Sequence, residues 1–314
     1  MNIVLAGGTG FIGRALCTAL SAQGHSVTLL VRKALSRVAP ICGHVTHVLW
    51  DGATSGSWEG CVEQADAVVN LAGAPIADRR WTEARKRQLI ASRVDATRVL
   101  VKAIASRSRR PVTLVNASGI GYYGPSDEMV FDEQSGRGQG FLAELSAAWE
   151  AEAMRAESFG ARVVRLRIGM VLERDGGALA KMHLPFALGL GGPVQPGTQW
   201  ISWIHRRDLI RLIEWAIRQP AVVGALNAVA PHSVTMNEFS RALGHALHRP
   251  SWLPVPELAV RVGLGEMGSM LTTGQRVVPK KALAQGFTYE YPSIQDALSA
   301  VYRSERGVDT IAAS

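Results

Sequence analysis

The chain has 314 residues, 47% hydrophobic, 19% charged and 6% aromatic. That length suits one large domain or two closely joined ones, and the apolar fraction is ample for a buried core, which excludes general disorder. The formal net charge is +8. The basic clusters Arg79–Arg80, Arg85–Arg87, Arg107–Arg110 and Lys280–Lys281 come without a nucleic-acid-binding motif and read as solvated faces, so nucleic acid is not an expected partner.

The chain opens on a short apolar run, Asn2–Ala6, whose length reads as a buried strand. Phe11–Gln23 has helical spacing, with Ile12, Leu16 and Leu20 on one face and Gly24 ending it. Strands are expected at Val27–Val31, Val45–Trp50 and Ala67–Leu71, then a long helix from Thr82 to Ser106 with Ile90, Val94, Val101 and Ile104 as its buried stripe. A fifth strand, Pro111–Ser118, a helix, Leu142–Ser158, and a sixth strand, Ala161–Ile168, complete the first half. Strands alternating with helices predict an α/β, Rossmann-like, doubly wound parallel sheet.

Beyond Gly169 the character changes, with glycine and proline concentrated from Gly176 to Gly197. Trp200–Ile204 reads as a strand, Asp208–Arg218 as a helix and Ala225–Val229 as a strand. Helical pieces follow at Asn237–Leu247, Pro256–Val262, Lys280–Gln285 and Pro292–Tyr302. The expected division is a dinucleotide-binding domain over 1–170, its sheet completed by 199–230. A smaller, mostly helical cap or substrate region takes 171–198 and 231–303, and 304–314 form a frayed tail. No apolar run approaches the ~20 residues of a membrane span, and Met1–Ala6 lacks the basic start of a secretory signal. Cys17, Cys42 and Cys61 are odd in number and form no CxxC pair, against a disulfide framework or a cysteine zinc site. His183 and His205 lack metal-ligand spacing, so no metal site is expected. The expected location is cytoplasmic.

The strongest local signal is Ala6-Gly7-Gly8-Thr9-Gly10-Phe11-Ile12-Gly13, between the first strand and the first helix. Gly7 permits a tight turn, Gly10 lets the backbone approach a pyrophosphate, and Gly13 allows close packing of the helix. The helix start brings N–H groups and a positive dipole end to the phosphates. About 20 residues on, where an NAD enzyme places a carboxylate on the ribose, stand Arg32 and Lys33. Two cations suit a 2′-phosphate, so NADP(H) is favoured over NAD(H). Asp51, after the third strand, is a candidate for the adenine edge; its alternative is a turn residue before Gly52.

The Gly7-x-x-Gly10-x-x-Gly13 spacing resembles the short-chain dehydrogenase/reductase superfamily, and Phe11-Ile12-Gly13 resembles its extended branch. Asn70-Leu71-Ala72-Gly73-Ala74 resembles that superfamily's NNAG-like segment, which implies Leu71, Ala72, Gly73 and Ala74 beside the cofactor. Asn116-Ala117-Ser118-Gly119-Ile120-Gly121-Tyr122-Tyr123-Gly124 resembles its SSxxVYG segment. The superfamily's Tyr-x-x-x-Lys pair is absent from the chain: in the matching register Leu142 takes the Tyr position and Ser146 the Lys position. FLAEL-x-x-x-WE, SGIGYYG, Ser92-Arg93, Gln199–His205 and Gly274–Pro279 followed by Gly286-Phe287 resemble the atypical epimerase-like group with a C-terminal DUF1731 segment. That resemblance covers nearly the whole chain and implies an NADP-type site without supplying a substrate.

If the chain is an enzyme, its acid–base group must come from elsewhere. Tyr122 or Tyr123, with Lys181 or Arg93 as a neighbouring cation, is one source; Tyr123 is the first candidate for proton transfer, Ser118 for orienting substrate, and His205 the reserve. Arg93 and Ser118 are also counted with the cofactor site, although a structural role for Arg93 on strand-end carbonyls competes. The leading reading is an NADP(H)-dependent epimerase or oxidoreductase acting on a small-molecule or nucleotide-linked substrate, with a homodimer as the expected assembly. The competing one is a non-catalytic NADP(H)-binding sensor or partner-binding module.

Overall fold

The computed structural model describes residues 1–33, 44–108 and 111–303; Cys42, Arg109, Arg110 and the expected tail lie outside the described residues. In chain order the elements are β1 (Asn2–Ala6), α1 (Phe11–Ala22), β2 (Ser26–Val31), β3 (Val45–Leu49), α2 (Glu59–Glu63), β4 (Ala67–Asn70), α3 (Glu83–Ala105), β5 (Thr113–Gly119), a 3₁₀ turn (Ile120–Tyr123), β6 (Val130–Phe131), α4 (Phe141–Met154) and β7 (Arg162–Ile168). They continue with β8 (Met170–Leu172), α5 (Gly177–Ala187), β9 (Trp200–Ile201), β10 (Trp203–His205), α6 (Arg206–Arg218), β11 (Gly224–Ala228), β12 (Val234–Thr235), α7 (Met236–Leu247), α8 (Glu257–Leu264), α9 (Ser269–Thr272), β13 (Arg276–Val277), α10 (Lys280–Ala284) and α11 (Ile294–Arg303).

The chain forms two units. The first takes 1–122, 139–167 and 210–226 and is built on a seven-stranded sheet in the order β11-β7-β5-β4-β1-β2-β3. The β1–β2, β2–β3, β1–β4 and β4–β5 pairings are parallel. Strands covered by helices on both faces need apolar residues on both faces, and all four residues of β4 are buried, as are Ile3–Ala6 of β1. From β1 the chain runs outward through β2 and β3, then returns to β4 on the other side. Ligands of such sheets lie where strand order reverses, outside the C-terminal strand ends.

α3 begins where Thr82 accepts the Arg85 N–H. It buries Leu89 rather than Ile90, which is 37% exposed; the expected stripe holds at Val101 and Ile104 and drifts by one residue at the N-terminal end.

The second unit takes 123–138, 168–209 and the described residues from Asn227 onward. It holds three two-stranded ladders, β8 with β10, β9 with β12 and β6 with β13, and a core around Trp203, Phe239, Leu243 and Leu298. Two expectations change here. The segment 123–138 belongs to this unit, not to the first. Of 199–230, β11 joins the large sheet but Trp200–Ile204 does not. That stretch breaks at Ser202, whose Oγ donates to the Gln275 carbonyl (2.8 Å) and accepts the Val277 N–H (2.9 Å), and the break sends Trp200 and Trp203 into different ladders. Within the stretch 176–197, Gly177–Ala187 form α5. Among the described residues, no helix is long and apolar enough to cross a membrane.

Candidate functional site

The glycine loop shows which of its glycines the protein itself requires. Gly7 has φ +79°, and a Cβ there would lie 2.6 Å from the Leu71 carbonyl carbon. A Cβ on Gly13 would lie 2.2 Å from the Gly7 oxygen, so α1 could not seat against the loop. A Cβ on Gly8 would meet Leu29 at 2.5 Å. Gly10 differs: only the Gly7 oxygen comes within 4 Å, at 3.3 Å. A side chain at Gly10 would ask the Gly7 oxygen to give by a few tenths of an ångström, far less than at the other three, so its glycine suits something that approaches from outside. Gly10 is also the N-cap of α1, with no side-chain cap and no acidic residue in the first turn. That is the composition of a phosphate-binding helix start. Thr9 is exposed, and Phe11 and Ile12 are half-buried on the same turn.

The neighbouring strand ends supply the rest of the expected cofactor stations. Ala6 is level with Leu30 on β2, so Arg32 and Lys33 follow two and three residues past the level where the glycine loop starts; both are exposed. Asp51 closes a local turn. Its Oδ1 accepts the Ala53 and Thr54 N–H groups (both 2.8 Å) and its Oδ2 accepts the Thr54 hydroxyl (2.6 Å). The Thr54 hydroxyl and these N–H groups hold its pKa down at about 2. Leu71–Ala74 leave β4 directly beside Gly7. Ala72 donates to Asn70 Oδ1 (3.1 Å) and Ala74 to Ser92 Oγ (3.0 Å). Arg93 reaches under this loop to the Ala74 carbonyl (3.0 Å) and the Leu89 carbonyl (3.1 Å), its guanidinium over the Trp149 ring. Burial, then the nearby Arg85, lowers its pKa to about 10. Arg93 thus holds the loop after β4 to α3 through the Ala74 and Leu89 carbonyls.

Behind these ends lies a buried polar network. Asn70 Nδ2 donates to Asn116 Oδ1 (2.7 Å) and to Thr97 Oγ1 (2.9 Å), and Trp149 Nε1 donates to the same hydroxyl (2.9 Å). It ties β4 and β5, level at Asn70 and Asn116, to α3 and α4.

At the end of β5 the structure assembles a cluster that sequence reasoning did not. Ser118 Oγ donates to Glu150 Oε1 (2.8 Å). Arg167, from the adjacent strand β7, donates through Nε to Oε1 (2.8 Å) and through Nη2 to Oε2 (2.9 Å), and Arg165 adds a contact to Oε2 at 3.2 Å. The Arg167 guanidinium lies 3.5 Å from the centre of the Tyr122 ring. The cation beside Tyr122 is therefore Arg167; Arg93 is engaged elsewhere, and Lys181 is exposed on α5. The available signal was Arg165-x-Arg167: two charges on one face of a largely buried strand need an anion beside them. Along α4, Leu142 Cβ is 2.8 Å from where a Gly121 Cβ would sit, and Ser146 Oγ is 3.9 Å from that of Gly119.

Tyr123 and His205 fall in the second unit. Tyr123 is 2% exposed, stacks on Phe131 and donates its hydroxyl to Asn227 Oδ1 at 2.7 Å. Asn227 Nδ2 in turn donates to the Val278 carbonyl (2.9 Å). His205 is buried against Tyr291, and its Nδ1 accepts the Arg207 N–H at 3.1 Å, capping α6. The Asp208 carboxylate accepts the N–H groups of Glu290 (2.8 Å) and Tyr291 (2.9 Å).

Burial holds the His205 pKa below its ordinary 6.5, against the raising effect of Glu173, Asp208 and Glu290. The unfolded chain takes up the proton near 6.5 while the folded one stays neutral there. Stability from this group is therefore complete above the unfolded value and is lost as pH falls below it. Urea midpoints at about pH 7.5 and about pH 5.5 should show a smaller acid loss in His205→Asn, which keeps an acceptor for Arg207, than in wild type. His25 and His183 are also lowered, so the comparison rests on the difference; equal losses would mean His205 does not contribute.

The reversed strand order and the glycine loop at the β1–α1 junction define an extended Rossmann-type fold. Residues 3–229 match the NAD dependent epimerase/dehydratase family, and residues 255–301 match DUF1731, a domain of unknown function. The chain belongs to that epimerase/dehydratase family, in its atypical epimerase-like branch with a C-terminal DUF1731 segment. It is 41% identical over 305 residues to the epimerase family protein SDR39U1 of Homo sapiens, across 96% of this chain and 99% of that protein. It is 38% identical over 311 residues to YfhF of Bacillus subtilis (strain 168), across 98% and 100%. A crystal structure of human SDR39U1 (isoform 2) with NADPH is similar over 96% of this chain and 99% of that one, at 39% identity and a TM-score of 0.87.

Proposed function

We propose that the chain binds NADP(H) in preference to NAD(H) and is an epimerase-like oxidoreductase for a small or nucleotide-linked substrate. The observation that carries the reading is the Gly7–Gly13 loop, in which Gly10 is the glycine least demanded by packing, with Arg32 and Lys33 at the adjoining strand end. The similar human protein crystallised with NADPH supports it. Bound there, the nicotinamide supplies a hydride donor or acceptor. The chain's own part is to hold the pyrophosphate on the N-terminus of α1 and the 2′-phosphate on Arg32 and Lys33, with the Asp51 turn toward the adenine. Leu71–Ala74, braced by Arg93, wall the middle of the dinucleotide, and Ser118 stands at the reaction end.

A second reading, a non-catalytic NADP(H)-binding module, draws on Leu142 and Ser146 standing where a catalytic pair would. Turnover of any carbonyl substrate with NADPH separates the two. The cofactor assignment itself is tested by titrating NADPH and NADH. NADPH should bind more tightly to wild type, and Arg32→Ala should weaken NADPH by roughly 10- to 100-fold, the worth of a charge-assisted phosphate contact of about 1.5–3 kcal/mol, while leaving NADH nearly unchanged. Equal wild-type affinities would overturn the preference.

A further inference from the structure

We propose that Tyr122, held in place by the Arg167–Glu150 clamp, is the tyrosine that meets the nicotinamide end of the dinucleotide. The inference rests on the dinucleotide reading and assigns the reaction end of that same site.

Two adjacent tyrosines follow β5, and the structure gives them different occupations. The Tyr123 hydroxyl is spent on Asn227, and its ring is sandwiched into the core beside Phe131. Tyr122 is half-buried, and one face of its ring is covered by the Arg167 guanidinium at 3.5 Å. Arg167 is itself fixed. Both oxygens of Glu150 accept from it in a fork, and Ser118 and Arg165 fill the remaining acceptor positions of the same carboxylate. A fork of two parallel charge-assisted bonds sets the plane of a guanidinium, and a ring stacked on that plane inherits its orientation. Glu150 is 2% exposed and Arg167 is 3% exposed, so solvent does not loosen the arrangement.

The position follows from strand order. The pyrophosphate loop leaves β1, and Arg32 and Lys33 leave β2 on one side of it, which directs the adenosine half that way. The other half must run toward β4 and β5. β5 is two strands from β1, about 10 Å at the usual strand spacing, within reach of a nicotinamide riboside. The end of β5 is where Gly119, Gly121 and Tyr122 stand. α4 puts Leu142 and Ser146 against the two glycines and presents no tyrosine of its own. Arg167 and Glu150 are positioning residues: they act on the site through Tyr122.

The test uses the full-length protein labelled with [13Cζ]tyrosine. The five tyrosines give five resonances, and Tyr122→Phe and Tyr123→Phe assign the two in question. Two probes are added separately: NADP+, and 2′-phospho-ADP-ribose, which lacks the nicotinamide. Tryptophan fluorescence reports binding of each independently. The expected result is that NADP+ moves the Tyr122 resonance, that 2′-phospho-ADP-ribose does not, and that Tyr123 stays still with both. In Arg167→Lys and Glu150→Gln, the NADP+-induced shift of Tyr122 should fall by more than half while the NADP+ dissociation constant changes by less than threefold. A merely structural role for the clamp would leave the shift unchanged. A Tyr122 resonance that ignores bound NADP+, or moves equally with both probes, overturns the proposal and leaves the dinucleotide reading standing. If neither probe binds, the dinucleotide reading falls and takes the proposal with it.

Discussion

Glu150→Ala should destabilise the protein by about 3–5 kcal/mol, read from urea unfolding. The carboxylate sits among Ser118, Arg165 and Arg167, and removing one partner of a buried pair leaves the other charge without compensation inside the protein. Arg167 is 3% exposed, so water does not replace the lost carboxylate. The comparison variant is Asp95→Ala. Asp95 also pairs with an arginine, Arg98 at 2.6 Å, but the two side chains are 43% and 41% exposed. Pairs of that kind contribute about 0–1 kcal/mol. If both variants lose similar stability, the Glu150 cluster is no tighter than a surface pair, and its value as a clamp disappears.

Gly10→Val should cost at least about 100-fold in NADPH affinity, about 2.7 kcal/mol, with far-UV circular dichroism and the urea midpoint close to wild type. The added Cβ has one close neighbour, the Gly7 oxygen at 3.3 Å, which must give by a few tenths of an ångström, and the side chain fills the approach to the helix N-terminus. Gly13→Ala makes the contrast. Its Cβ would stand 2.2 Å from the Gly7 oxygen, so this smaller change should destabilise the fold before any ligand is added. Retained NADPH binding in Gly10→Val would mean the phosphates lie elsewhere. Unfolding of that variant would mean that Gly10, too, is a packing glycine.

What could be read from sequence was whatever local spacing decides. The glycine loop and the basic pair after β2 are each carried by a few neighbouring residues, and so is the Asp51 turn, complete within four positions. The strands buried on both faces announced themselves as continuous apolar runs. The Ser118–Glu150–Arg167 cluster was out of reach because its members come from β5, α4 and β7, and they meet only once β5 and β7 are known to be neighbours. The fates of Tyr122 and Tyr123 were hidden for a related reason. Adjacent in sequence, they fall in different units, and nothing in a Tyr-Tyr pair says which ring meets Arg167 and which meets Phe131. The partner of His205 Nδ1 is the backbone N–H of Arg207, a contact that the spacing of side chains does not announce.

The β6–β13 ladder ties the order of synthesis to the order of folding. Val130 and Phe131 pair with Arg276 and Val277, Val278 donates to the Phe131 carbonyl at 2.9 Å, and Lys280 reaches Asp132 at 2.9 Å. A growing chain that has already supplied every strand of the large sheet still lacks the partner of residue 131, some 145 residues further on. Contacts of such separation form late. Until translation reaches them, the loop after β5 is an unclosed edge with Phe131 uncovered, the kind of surface that draws chaperones or other nascent chains. The stretch matched as DUF1731 thus finishes a structure begun in the epimerase-matched part. A chain stopped after residue 229 would emerge from the ribosome as an incomplete protein rather than as a shorter one.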